Sequence, residues 1–310
     1  GKGTILTKEY INKLILRGHS GIYIEDELAK DIELEETITQ ELRNRGVNAL
    51  RRGDVDETMS VGRNIVDEIL QHPQVSLDMI DLRSYDDYTY RHSVNVAVIS
   101  TVIGIHLGYS TQMLQELSTA AILHDIGKSK IPAKILNKPG KLTSEEYDEM
   151  KKHPEYAYDM LKERLDIPSA VRAGILCHHE NEDGSGYPQH LKGSQIFQYA
   201  KIIHVADVFD ALTSRRPYKE AYERSEVVEY LMACGGMLFD MEVVKAFLTS
   251  VSVYPVGVTV TLSTGQEAIV IHNSDNILRP TVRLMNGEEL NLSDPLKYRN
   301  VTICKSQEVE

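Results

Sequence analysis

Ala121-Ile122-Leu123-His124-Asp125-Ile126-Gly127-Lys128 is the stretch that decides how this chain is read. Leu114, Leu117, Ala121 and Ile122 stand at helical spacing, and that apolar helix runs directly into a histidine–aspartate pair followed by a glycine that can end it. Burial of Ile122 and Leu123 would hold the pair at the helix end. A carboxylate there can give one oxygen to each of two metal ions, which an imidazole cannot do. By itself a His-Asp dipeptide is common and reads as a hydrogen-bonded surface pair.

Working outward, the pair has company. His92 falls in an earlier apolar helix, His153 precedes a proline, His178-His179-Glu180 closes another helix, and Asp207 sits in Val205-Ala206-Asp207-Val208. Each interrupts an apolar stretch, where an unpartnered charge or imidazole costs roughly several kcal/mol. Convergence on metal ions removes that cost and ties separate helices together. An N/O donor set without thiolate suits Mn, Fe, Ni or Zn. Other histidines read differently: His19, His72, His190 and His272 as solvent-facing, His106 and His204 as core residues or supports of the site.

Directly after the double histidine comes Asp183-Gly184-Ser185-Gly186-Tyr187-Pro188, a loop fixed by two glycines and a proline. Following Asp207 and Asp210, Ser214-Arg215-Arg216-Pro217-Tyr218-Lys219 offers a guanidinium able to fork onto a phosphate and a lysine point charge.

The chain divides into three zones. In residues 1–55, Thr7 starts a helix bearing Ile11, Leu14 and Ile15, and Ile22-Tyr23-Ile24 reads as a short strand. Seven acidic residues against one lysine between Glu25 and Glu36 mark a solvated face or linker. Residues 56–250 are helical, with apolar faces at Val61–Leu70, Val94–Val102, Val171–Ile175, Ile202–Leu212 and Val227–Met232. Residues 251–310 switch to alternation and turns, with Asn286-Gly287 as a hairpin signal, and predict a small barrel of about five short strands. The expected class is mainly α, with a small N-terminal α/β segment and a C-terminal β-barrel-like module.

With 310 residues the chain can bury one large core and small satellites. Its net charge of −12 argues against a DNA or RNA partner, though cations and metals can make one cleft locally positive. Three scattered cysteines, Cys177, Cys234 and Cys304, fit a reducing, cytoplasmic compartment, and Cys177 reads as a small buried hydrophobe. No apolar run of membrane-spanning length occurs, and Gly1-Lys2-Gly3 reads as mid-protein sequence without a signal-peptide core.

Together these motifs resemble the HD-GYP subgroup of the HD phosphohydrolase superfamily. The resemblance covers about residues 82–250 and rests on Tyr88-Thr89-Tyr90-Arg91-His92-Ser93, His124-Asp125-Ile126-Gly127-Lys128, His153-Pro154-Glu155, His178-His179-Glu180 with the Gly-Tyr-Pro loop, and Asp207-Val208-Phe209-Asp210-Ala211-Leu212-Thr213 running into Arg216-Pro217-Tyr218-Lys219. It implies an HD-type helical bundle hydrolysing cyclic di-GMP to linear pGpG, with GMP on a second cut, through a hydroxide bridging two divalent ions, Fe or Mn first, Ni or Zn as options. It further implies that His92, His124, Asp125 and Asp207 hold one ion. His153, His178 and His179 would hold the other, with Asp125 bridging. Asp125 and Lys128 would be catalytic, and Lys128, Tyr187, Arg216 and Lys219 would touch substrate. The Gly-Tyr-Pro loop is implied as a contact surface for diguanylate cyclase domains, and the first helix is an option for homodimer formation. Tyr88 stands where some members place a third-metal glutamate, so two ions are expected. Ala157 replaces the usual glycine after His-Pro-Glu. Competing readings are an HD hydrolase of another nucleotide and a catalytically weak cyclic-dinucleotide receptor.

Overall fold

The computed structural model describes residues 7–11, 37–71, 88–214, 221–274 and 276–307. The Ile22–Ile24 strand, the acidic run before residue 37, His19, His72, Arg216 and Lys219 therefore lie outside the described residues. After α1 at residues 8–11 the chain forms α2 (Gln40–Arg52), α3 (Val55–Ile69), α4 (Tyr88–His106) and α5 (Thr111–Leu123). A 3-10 turn (Ile126–Lys130) leads to α6 (Ala133–Leu136), α7 (Ser144–Met150), α8 (His153–Leu161) and α9 (Ser169–Leu176). Then come α10 (Gln198–Thr213), α11 (Arg224–Ala233) and α12 (Met241–Ser250), and finally β1 (Thr259–Leu262), β2 (Glu267–His272), β3 (Thr281–Leu284), β4 (Glu289–Asn291) and β5 (Ile303–Gln307).

Helix α4 is apolar nearly all round: Val94, Val96, Ala97, Val98, Ile99, Val102 and Ile103 are fully buried. A helix of that composition belongs at the centre of a bundle, and α4 packs against α2, α5, α10 and α12. Helix α5 starts on Ser110, whose hydroxyl accepts from the Met113 amide, and buries Leu114, Leu117 and Ala120–Leu123. Its last turn therefore delivers His124 and Asp125 into the interior. Helix α10 buries Ile202, Ile203, Val205, Ala206 and Phe209 and brings Asp207 and Asp210 to the same place.

The C-terminal strands correct one expectation. They form an open antiparallel sheet in the order β4-β3-β2-β1-β5, with β4 and β5 at opposite edges, so there is no barrel. Closure is not needed to cover the apolar face. Val260, Leu262, Ala268, Val270, Val282, Leu284 and Leu290 join the same hydrophobic cluster as the helices, and on the other face Ile269 and Ile271 of β2 are buried as well. A three-residue β4 also offers little edge to pair with β5. Ser306 on β5 donates to Glu223 just before α11, tying the sheet to the bundle.

Candidate metal centre

Seven side chains from separate elements converge where α4, α5, α8, α9 and α10 meet. His92 comes from α4, His124 caps α5, Asp125 opens the 3-10 turn, His153 starts α8, His178 and His179 follow α9, and Asp207 lies on α10. His124 and His178 have no exposure, and His92, Asp125, His153 and Asp207 are buried.

The histidines are held by their outer nitrogens. Nδ1 of His124 lies 2.7 Å from the Ala121 carbonyl, that of His153 2.9 Å from Met150, and that of His178 2.6 Å from Ile175. A carbonyl only accepts, so each Nδ1 carries the proton and each Nε2 turns a lone pair inward. His92 does the same through a carboxylate, with Nδ1 2.6 Å from Asp210 Oδ2.

The inner atoms fit metal ions and little else. His153 Nε2 and His178 Nε2 face each other at 3.2 Å. Burial lowers His153 to about 4 and His178 well below its ordinary value, so near neutrality two bare acceptor nitrogens would oppose one another. A cation resolves that conflict. His124 Nε2 and Asp125 Oδ1 are buried without a hydrogen-bond partner, an expensive arrangement unless both are metal donors. Three overlapping groups among the described residues have the spacing of a metal site: His92/His124/Asp125, His124/His178/Asp207 and His153/His178/His179.

Asp125 sits between them. Its Oδ1 lies 3.3 Å from His153 Nε2, while Oδ2 lies 3.4 Å from His124 Nε2 and 3.9 Å from His92 Nε2. Burial would raise this carboxyl, but the neighbouring His124 and Lys128 outweigh it and hold the group well below the carboxylate range. Lys128 reaches Asp125 Oδ2 from the 3-10 turn. His92 Nε2 meets Asp207 Oδ1 at 2.9 Å. Burial lowers His92, yet its hydrogen bonds to Asp207 and Asp210 win and raise it to about 9, so a metal ion binding here displaces a proton.

Two glycines are required by space. A Cβ on Gly127 would lie 2.0 Å from the His153 carbonyl oxygen and 2.5 Å from the Ala157 nitrogen. Gly127 therefore lets the 3-10 turn lie directly on the first turn of α8; the sequence suggested only that it ends a helix. A Cβ on Gly186 would lie 2.3 Å from the Asn181 nitrogen and 2.4 Å from the His179 carbonyl oxygen. That close fold-back stacks the Tyr187 ring on His179, with centroids 4.7 Å apart and planes at 29°. The Tyr187–Pro188 bond is cis.

Sequence reasoning passed over three supports. Glu180, almost fully buried, accepts from the Gln189 amide at 2.6 Å and the Leu191 amide at 3.0 Å, clamping the Gly-Tyr-Pro loop. Asp210 accepts from His92, and Asn95 Nδ2 donates to Asp210 Oδ1 at 2.9 Å. A signal existed for these two, because His92/Asn95 and Asp207/Asp210 are both i, i+3 pairs on facing helices. His204 lies against Phe239, with burial lowering it to about 4, and stands outside the metal-spaced groups. Exposed His190 and His272 are likewise outside them, and Cys177 is a buried free thiol.

A family model described as an HD domain matches residues 75–243, which includes every one of the seven converging residues. This chain belongs to the HD-domain family. The HD-domain protein is 38% identical over 226 residues to "Cyclic di-GMP phosphodiesterase PA4108" of Pseudomonas aeruginosa, covering 71% of this chain and 54% of that one. It is 33% identical over 180 residues to "3'3'-cGAMP-specific phosphodiesterase 1" of Vibrio cholerae, covering 56% of this chain and 40% of that one. In fold it is similar to Bd1817, a HDG"Y"P protein from Bdellovibrio bacteriovorus, with a TM-score of 0.54 at 18% identity over 67% of this chain and 68% of that one. The chain spans about half the length of the curated relatives it matches. No helix among the described residues is long and apolar enough to cross a membrane.

Proposed function

We propose that this HD-domain protein hydrolyses cyclic di-GMP to linear pGpG, and pGpG to GMP on a second cut, at a centre of two divalent ions. The observation that carries the reading is the buried Asp125 carboxylate, ionised and turned with one oxygen toward each histidine group. His92, His124, Asp125 and Asp207 would hold one ion, and His153, His178 and His179 the other, with Asp125 shared. Fe or Mn is our first assignment; Ni and Zn suit the same donors. When bound, such a pair supplies water activated at neutral pH and a Lewis-acid clamp on phosphoryl oxygens.

The chain's own residues do the rest. Opening the ring forms a bond from water oxygen to phosphorus, breaks the bond to the 3′ oxygen and requires a proton on that oxygen. Lys128, part-exposed beside Asp125, is placed either to neutralise charge growing on the phosphoryl group or to supply that proton. Tyr187, Arg216 and Lys219 would bind the dinucleotide, and the Tyr187 stack would keep His179 in place. The names of three Vibrio cholerae relatives favour a second substrate reading, the mixed dinucleotide 3'3'-cGAMP.

We assign catalysis to residues 56–250, flanked by modules at 1–55 and 251–310, and place the protein in the cytoplasm with its nucleotide substrate. The Gly-Tyr-Pro loop would contact diguanylate cyclase domains, and the first helix would serve a homodimer. Incubating metal-replete protein with cyclic di-GMP, 3'3'-cGAMP and a linear mononucleotide panel, with products resolved by chromatography, tests the reading. Formation of pGpG from cyclic di-GMP is expected. Tight binding without turnover would replace the enzyme with a receptor, and turnover of mononucleotides alone would replace the substrate.

A further inference from the structure

A buried polar chain runs from α2, upstream of the stretch that the HD-domain model matches, to the metal centre. Arg43 Nη1 donates to Asn95 Oδ1 at 3.0 Å, Asn95 Nδ2 donates to Asp210 Oδ1 at 2.9 Å, and Asp210 Oδ2 accepts from His92 Nδ1 at 2.6 Å. Arg43, Asn95, Asp210 and His92 are each no more than 3% exposed. We propose that Arg43 is a positioning residue for the metal centre, fixing the His92 imidazole through Asn95 and Asp210. The proposal rests on the reading of His92 as a metal ligand.

Each link dictates the next. A guanidinium only donates, so it must face the oxygen of the Asn95 amide. That orientation leaves the Asn95 NH₂ directed at Asp210 and occupies Oδ1 of its carboxylate. Oδ2 can only accept, so His92 carries its outer proton on Nδ1 and presents Nε2 to the centre. Removing the guanidinium leaves Asn95 Oδ1 buried without that donor, so the amide shifts or rotates toward another donor and pulls its NH₂ off Asp210 Oδ1. Asp210 would keep its bond to His92 but lose the donor on Oδ1 that fixes the carboxylate, and with it the ring plane of His92, in place. Packing alone does not account for an arginine here, because an apolar side chain would fill the space without burying a charge.

Placement gives the chain a further meaning. Arg43 lies on α2, whereas the HD-domain match begins at residue 75. Helix α2 caps the bundle through Leu42, Val47 and Leu50, which join the main core. The upstream helix is therefore a support of the metal centre as well as a cover for α4.

The test compares wild type, Arg43→Met, Arg43→Lys and Val47→Ala, the last removing apolar packing from the same helix without touching the polar chain. Metal-free protein is titrated with Mn(II), ions retained per chain are counted by elemental analysis at graded chelator concentration, and thermal unfolding is recorded for each variant. Arg43→Met should weaken one of two Mn(II) ions by about tenfold or more and leave the second at wild-type affinity. Arg43→Lys should recover part of the loss, and Val47→Ala should keep both ions. Should Arg43→Met fail to fold, Asn95→Leu cuts the same chain one link closer and is read the same way. Wild-type affinity for both ions in the cut variant overturns the proposal. So does an equal, selective ion loss in Val47→Ala at matched thermal stability. A wild-type protein that binds no Mn(II), Fe(II) or Zn(II) refutes the metal reading itself, and this inference with it.

Discussion

Gly127→Ala is the smallest change that tests how the metal centre is assembled. Gly127 sits in the 3-10 turn with no left-handed backbone, so conformation does not demand glycine there. Space does. An added Cβ would meet the His153 carbonyl oxygen at 2.0 Å, the Ala157 nitrogen at 2.5 Å and the His153 carbonyl carbon at 3.0 Å, all backbone atoms that no rotamer change relieves. Since such contacts do not occur below 3.0 Å, the 3-10 turn and the first turn of α8 must separate by about 1 Å. Asp125 stands at one side of that gap and His153 at the other, 3.3 Å apart. The separation opens the span that the shared carboxylate has to bridge. Overpacking of this kind costs about 1–3 kcal/mol of stability, and an ångström of misplacement at a reacting centre costs about 100-fold in rate. Turnover of cyclic di-GMP at saturating Mn(II), ions per chain and thermal unfolding form the assay. A folded Gly127→Ala protein is expected to bind the ion at His153 weakly and to turn over slowly. Wild-type turnover and metal content in this variant would refute the geometric argument.

Other consequences are accessible to simple measurements. Glu180→Gln replaces one of two buried acceptors by an NH₂ group facing a backbone amide, which should cost about 1–3 kcal/mol and loosen the Tyr187 stack on His179. Amide exchange at Gln189 and Leu191 should quicken and KM should rise; unchanged exchange at both would count against the clamp. Lys201 lies 2.7 Å from Glu182 and 2.9 Å from Asp240, joining α10, the Gly-Tyr-Pro region and the start of α12. Burial raises Asp240, but the Lys201 hydrogen bond and two backbone amides outweigh it and lower the carboxyl below its usual 3.8. A depressed carboxyl contributes stability above its unfolded pKa and loses it as pH falls through the folded one. Asp240→Asn should therefore lower thermal stability at pH 7 and narrow its gap from wild type below about pH 4. A gap that widens in acid would reverse the sign and sink the argument.

How much was legible in the sequence differs by element. The helical bundle could be read because Val94–Val102 and Leu114–Ile122 bury continuous apolar faces, and polar residues inside such faces stand out. For the same reason His92, His124, Asp125, His153, His178, His179 and Asp207 were found as a set, and the structure brings all seven together. Alternation announced the C-terminal strands, but not whether their edges would meet, because that depends on helices covering the apolar face. Gly127 and Gly186 were visible as glycines, whereas the backbone crowding that requires them comes from segments far along the chain or folded back. Arg43 left no local signal at all. One of four arginines in a charged helix looks solvated until α4 packs against α2 and buries it. Arg216 and Lys219 remain assignments from the resemblance.

The most direct measurement is the metal content of wild type and Asp125→Ala, counted per chain after reconstitution with Mn(II) and removal of excess ion. Asp125 turns one oxygen to His153 and the other to His124 and His92, so two ions are expected in wild type and loss of both in the variant. A wild type that holds a single ion, or an Asp125→Ala protein that keeps two, would contradict the shared-carboxylate centre on which the function rests.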